Sequence, residues 1–211
     1  MDYPIPKNSR LAYQAHRRKT PQNPGLIFEC YAPDMQGGSN ARKKGLQDVL
    51  QASEKVDQTL LSAYHRRWQQ TVQAQGAQPF SMWTDGRMVV GLGHKGPYEI
   101  GFTFHRLGFP YIPGSGLKGV ARAYAEVVAE LDESDEQFMS IFGTAPEEEE
   151  DGNNAKAGLA IFYDAIPPKN PELELDIMTP HFAEYYSDEK NVKPPRDSDK
   201  PIPISFLTVS P

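Results

Sequence analysis

Cysteine is almost absent from this chain. Its 211 residues contain one, Cys30, which excludes an internal disulfide and a cysteine-rich zinc site. Long apolar runs are missing as well. None approaches the roughly eighteen residues of a membrane-spanning helix, and no signal-peptide pattern opens the sequence. Cytoplasm, with no membrane partner, is therefore the economical expectation. A strong charge of one sign is also lacking, because 22 Lys and Arg face 28 Asp and Glu for a net charge of −6.

The distribution of that charge says more than its sum. Residues 1–75 carry 11 basic and 6 acidic residues, and residues 76–125 carry 5 and 2. Residues 126–211 reverse the balance with 6 and 20. A polyanion would choose the first part, and the acidic remainder would repel a misplaced polyanion or meet a basic neighbour.

Composition and periodicity divide the chain further. Residues 1–38, rich in Pro, Asn, Gln and basic residues, read as an arm with little regular structure. Its cluster of Arg10, Arg17, Arg18 and Lys19, with Tyr13 and His16, is either a solvated tail or a docking element for RNA or protein. Residues 39–75 carry a helical stripe through Leu46, Val49, Leu50, Ser53, Val56, Leu60, Leu61, Tyr64, Trp68 and Val72, which predicts a core or subunit contact. From residue 76 the pattern turns to strands. Met88, Val90 and Leu92 alternate with their neighbours, as do Ile100, Phe102 and Phe104, and residues 93–97 join the two runs. Further strands are expected at 158–165 and around Ile202, Ile204, Phe206 and Leu207, and a short helix at 136–142. The like-charge run in the loop 146–156 offers nothing apolar to bury. The Pro-rich stretch 166–203 is too long for a simple connection. Strand–helix–strand order with mixed alternation predicts an α+β, ferredoxin-like sandwich over residues 76–211.

The most informative stretch is FPYIPGSGLKGVARA, residues 109–123. A short apolar run meets Pro113 and turns through Gly114, Ser115 and Gly116 into a helix. Leu117, Val120, Ala121, Tyr124, Val127, Val128 and Leu131 mark its apolar face. Ser115 is the expected N-cap. Lys118 in the first turn opposes the helix dipole, and Arg122 four residues later repels it weakly. Both fit better if an anion sits at the helix start, held by free backbone N–H groups beside glycines that allow close approach. The turn is not a nucleotide-hydrolysis loop, since Lys118 is followed by Gly119 where the Walker pattern needs Ser or Thr. The match of Gly114, Gly116 and Gly119 to a dinucleotide fingerprint lacks the acidic residue about twenty positions on. No cofactor and no metal are assigned. The alternative to an anion site is a plain strand–turn–helix joint.

The run GHKGPYEIGFTFHRLGFPYIPGSGLKGVAR, residues 93–122, resembles the signature of the RAMP superfamily of CRISPR RNA-binding proteins. GLGH (91–94), IFG (141–143), FYDAIP (162–167), DIMTPHFAEYY (176–186) and PIPISFLTV (201–209) resemble, in order, the sixth-subunit family of type III-B Cmr effector complexes. The resemblance spans about residues 76–211. It implies an RRM-like, ferredoxin-like fold with residues 39–75 as a helical addition. It also implies a non-catalytic subunit that caps the complex at the 3′ side of the CRISPR RNA in antiviral defence. Its partners would be CRISPR RNA, the other Cmr subunits and, through the assembled complex, target RNA. Gly114, Ser115, Gly116 and Gly119 would then supply close main-chain approach, Lys118 and Arg122 charge, and Arg87 and His94 would add to the groove. Tyr111 is a candidate for base stacking. Such contacts position RNA without reading its sequence. Members of the family usually continue past the PISFLTV-like strand, so a truncated or split form is expected, or completion by another polypeptide.

Two other classes compete. A metal-independent RNase would need a base near the ribose 2′-OH and an acid near the leaving oxygen. Among the five histidines, His94 is the first candidate and His105 with Arg106 the second. Metal-dependent cleavage would require Asp164 and Asp176 to meet in space, and Asp164 reads equally as a turn or cap residue. No motif aligns with the target-cutting aspartate of the backbone subunits, so no catalytic residue is assigned. The third class is scaffolding without RNA contact.

Overall fold

The computed structural model describes residues 5–16, 22–33, 38–132, 134–144, 155–180, 194, 196 and 201–211. Arg17, Arg18 and Lys19 of the basic cluster, the acidic run and the aromatic patch with His181 lie outside the described residues. The elements are α1 (Lys7–His16), α2 (Pro24–Glu29), α3 (Gly38–Ser53), α4 (Gln58–Ala74), α5 (Gly114–Val127) and α6 (Glu136–Phe142), with β1 (Gly143–Thr144), β2 (Lys156–Ala157), β3 (Leu173–Met178) and β4 (Ile204–Val209). The chain is an α+β protein. It divides into two units, Met1–Pro110 with Pro167–Pro211, and Tyr111–Ile166. No described helix is long and apolar enough to cross a membrane.

In the first unit, α2 and α3 share a core with the β3–β4 hairpin. Phe28, Leu46, Val49, Ala52, Phe102, Leu173, Leu207 and Val209 are buried together there. The hairpin is antiparallel, in register from Leu173 opposite Val209 to Met178 opposite Ile204. Two helices occupy the stretch expected to be an arm. Asn23 is responsible for the second, because its side-chain oxygen accepts the Leu26 N–H at 3.1 Å and Pro24 begins the helix. Its amide also donates to the Arg106 carbonyl at 2.9 Å, tying α2 to a distant loop. The single helical stripe of 39–75 is two helices. After Ser53 a tight turn forms, with Lys55 N–H donating to Ala52 at 3.0 Å. Asp57 then caps α4 by accepting the Leu60 N–H at 3.0 Å.

The two strands expected at 88–92 and 99–105 make only part of a ladder. Gly101 N–H donates to Leu92 and Thr103 N–H to Val90. Regular pairing is broken at Gly91, whose φ of 88° lies in the left-handed region and whose missing Cβ makes room for the Thr103 hydroxyl. Met88 instead bridges Val209, extending the sheet by one residue.

In the second unit, α5 packs on α6 through Ala125, Phe138 and Phe142, with Ala121, Leu131 and Phe162 alongside. The helix at 136–142 forms where expected. Gly143, at φ 81°, ends it and starts the two-residue pairing of β1 with β2. The strand expected at 158–165 is reduced to one bridge, between Ala165 and Ile112.

Candidate nucleic-acid interface

The approach to α5 is fixed by that bridge. Ile112 N–H donates to Ala165 at 3.2 Å and Ala165 N–H returns to Ile112 at 2.8 Å. The chain then enters the helix at Pro113, whose φ of −60° and ψ of 142° are extended and which makes no side-chain cap. Ser115 is therefore not the N-cap. It is the second helical residue, and the helix covers Gly114–Val127, short of Leu131 at its far end. The capping function comes from fifty residues away, where an Asp164 carboxylate oxygen accepts the Gly114 N–H at 2.7 Å. A carboxylate there complements the positive end of the helix. Gly114 is required for this closure, since a Cβ would collide with the Phe162 carbonyl.

Beyond Gly114 the first turn is open. Leu117 N–H donates to Pro113 at 3.1 Å, and the Ser115 and Gly116 N–H groups meet no acceptor among the described residues. Ser115, Gly116 and Gly119 are exposed. A Cβ on Gly116 would touch only Ile112, at 3.9 Å, and one on Gly119 would meet nothing. Lys118 is half-buried and forms no ion pair among the described residues. The turn therefore offers two backbone donors, an unobstructed approach and one uncommitted cation.

Arg122 is engaged elsewhere. Its Nε donates to Glu126 at 2.8 Å, and its guanidinium lies over the Phe138 ring at 5.2 Å. The Glu126 partner was legible as an i,i+4 pair; the ring was not, because α6 brings it in.

Arg87 and His94 belong to the first unit, apart in the chain from the glycine turn of the second. Arg87 bridges Glu174 and Asp176 of β3, at 3.1 Å to each. The Asp176 hydrogen bond, then the Asp176 and Glu174 charges, raise its pKa. The Asp176 carboxyl is held below its usual range, first by the Ile177 N–H and then by Arg87. His94 is exposed in a turn closed by its own N–H donating to Gly91 at 2.9 Å. His105 is packed between rings, stacked on Phe109 with centroids 4.6 Å apart and tilted against Tyr64. Its Nδ1 accepts the Leu107 N–H at 3.2 Å. Tyr111 is half-buried. Asp164 and Asp176 each have the structural partner just described. No group of three or more His, Cys, Asp or Glu residues among the described residues is placed to hold a metal ion.

Comparison with known proteins adds the family. The chain is 36% identical to the CRISPR system Cmr subunit Cmr6 of Pyrococcus furiosus over 177 residues, covering 60% of this chain and 52% of that one. It is 32% identical to the Cmr6 subunit of Saccharolobus solfataricus over 138 residues, 63% of this chain and 41% of that relative. It thus spans about half the length of these relatives. A family model for the RAMP superfamily matches residues 88–210. The matched span takes in the Ile112 and Ala165 bridge, the glycine turn with α5, and both strands of the β3–β4 hairpin, so the chain belongs to the RAMP superfamily.

Proposed function

We propose that the chain is a non-catalytic, RNA-binding subunit of a type III-B Cmr effector complex, built on a ferredoxin-like RAMP fold and capping the 3′ side of the CRISPR RNA. The observation that carries this reading is the open first turn of α5, where Ser115 and Gly116 N–H groups lack acceptors and Lys118 lacks a counter-ion among the described residues. Backbone donors at a helix start and a nearby ammonium bind phosphate without regard to base identity. The similarity to Cmr6 subunits supports the choice of RNA over another polyanion.

Each residue takes a distinct role. Gly116 and Gly119 leave room for the phosphate, Ser115 and Gly116 donate to it, and Lys118 neutralises it. Gly114 and Asp164 hold the turn in shape, so the phosphate sits beyond Gly114. Arg122 reaches the phosphate only by leaving Glu126. His94, exposed on the first unit, offers a separate RNA contact in the assembled complex, and Arg87 does so only by leaving Glu174 and Asp176. The non-catalytic reading rests on the histidines: His105 is packed among rings, and His94 has no side-chain partner among the described residues to act as its acid or base. Incubation with labelled CRISPR RNA and target RNA, with and without divalent metal, should leave both intact. Cleavage lost on His94→Ala would establish the nuclease instead.

The binding test is RNA affinity across a salt series. Lys118→Ala should lower the slope of log affinity against log salt by about one unit. Gly116→Val should weaken binding by steric exclusion at nearly constant slope. Unchanged affinity and slope in both variants would leave an assembly role without RNA contact, a reading favoured by the engagement of Arg122 with Glu126 and Phe138.

A further inference from the structure

Asp85–Gly86 is the one Asp–Gly step among the described residues, and both of its residues are exposed where the chain bends. No backbone N–H or C=O of residues 78–87 has a hydrogen-bond partner among the described residues. The Asp85 carboxyl forms no ion pair there either, since the neighbouring Arg87 is taken by Glu174 and Asp176. A Cβ placed on Gly86 would meet nothing within 4 Å, so the approach to its amide is open. Glycine also gives this step more backbone freedom than any other residue would.

The other aspartates are restrained. The Asp57, Asp132 and Asp164 carboxylates accept the N–H groups of Leu60, Ser134 and Gly114. Asp176 accepts the N–H of its own successor, Ile177, at 2.8 Å and an Arg87 N–H at 3.1 Å. Pairing of β3 with β4 fixes that peptide in register. None of these four is followed by glycine. Asp85 has no partner holding its carboxyl and no side chain on the next residue to obstruct it.

A free Asp–Gly step carries its own reaction. The Gly86 nitrogen attacks the Asp85 carboxyl carbon, and the amide proton leaves with the carboxyl hydroxyl as water. Solvent water then opens the five-membered succinimide. Opening at the side-chain carbonyl restores aspartate. Opening at the main-chain carbonyl routes the backbone through the β-carbon and leaves the α-carboxylate as the side group, which is isoaspartate. The water lost in the first step is regained in the second, so no other reactant is needed.

The fold accommodates the product as well. After the step, Arg87 bridges Glu174 and Asp176, and Met88 exchanges two hydrogen bonds with Val209. Before it, residues 78–84 have no main-chain hydrogen bond among the described residues to give up. The extra main-chain carbon is therefore absorbed on the unbonded side.

We propose that Asp85 is a spontaneous isomerisation site, converting to isoaspartate in the folded chain as readily as in an unstructured peptide. This inference does not rest on the RNA-binding reading.

The test ages the full chain and a synthetic peptide of residues 78–87 side by side at neutral pH in heavy-oxygen water. Tryptic cleavage after Arg67 and Arg87 isolates residues 68–87, in which Asp85 is the only acidic residue. Fragments diagnostic of isoaspartate, and methylation by an isoaspartyl methyltransferase, should both report Asp85. Its rate should lie within about threefold of the peptide's, as for a segment with almost no local stability. Gly86→Ala should slow the reaction at least about fivefold by restricting the backbone, at an unchanged melting temperature. The aged wild-type chain should keep its melting temperature too. A slower rate in the chain than that range, or isoaspartate confined to Asp151–Gly152, overturns the proposal. So does an equal rate in Gly86→Ala, or a melting temperature that falls in step with isomerisation.

Discussion

If the glycine turn holds a phosphate as proposed, Asp164 links the stability of the second unit to that binding, and its substitution should move the two in opposite directions. Its carboxylate accepts the Gly114 N–H at 2.7 Å from half-buried surroundings. Asp164→Ala removes both the acceptor and its charge. Loss of a helix cap of this kind costs about 1 kcal/mol, or about 2–4 °C in melting temperature for a chain of this size. Asp164→Asn retains an acceptor of similar shape, so only the charge–dipole part, about 0.3–1 kcal/mol, should disappear. Both substitutions also remove a negative charge beside the proposed phosphate. Two unit charges about 4 Å apart in water interact by about 1 kcal/mol, so RNA affinity should rise roughly fivefold at low salt and less as salt screens it. The assay is thermal unfolding alongside RNA titration at low and high salt for wild type, Asp164→Asn and Asp164→Ala. Stability that falls while affinity stays level would refute the phosphate site. An unchanged melting temperature in the Ala variant would refute Asp164 as the cap.

The glycines of α5 should behave differently from one another. Gly114→Ala must push the Phe162 carbonyl aside and should lower the melting temperature, whereas Gly119→Ala faces open space and should stabilise the helix by about 0.5–1 kcal/mol. Leu46→Ala, in the core of the first unit, should cost about 2–5 kcal/mol by denaturant unfolding. Asp176 has a folded pKa below its ordinary 3.8. Its contribution is therefore complete above that value and lost as pH falls through the lower folded pKa. Asp176→Asn should flatten the acid limb of the stability curve below about pH 4, and an unaltered limb would contradict the assignment.

Some of the architecture follows from local sequence. Residues 136–142 form a helix because Phe138 and Phe142, four apart, give it one apolar edge against α5. The last strand is visible in the β-branched and aromatic alternation that ends in PISFLTV. The glycine turn and its helix are legible for the same reason: glycine and proline act on their own backbone, and the 3.6 period needs no partner.

Other features depended on distant residues. Asp57 could have been read as a cap, and the stripe through Leu46, Val56 and Leu61 concealed the break because both helices keep their apolar sides buried. The helices at 7–16 and 24–29 were hidden by polar composition, although Asn23 followed by Pro24 is a local start signal. Asp164 left two readings open, and only the bridge between Ala165 and Ile112 brought its carboxylate to Gly114. Arg122 is drawn to Glu126 by helix geometry that the sequence contains and to Phe138 by packing that it does not. The sequence by itself determined the family signature, the helix at the glycine turn and the opposed charge of the two parts, since each depends on neighbours within a few residues. Tertiary structure alone decided which polar groups of that turn were already satisfied, because a hydrogen bond or ion pair across fifty residues exists only once the chain has closed on itself.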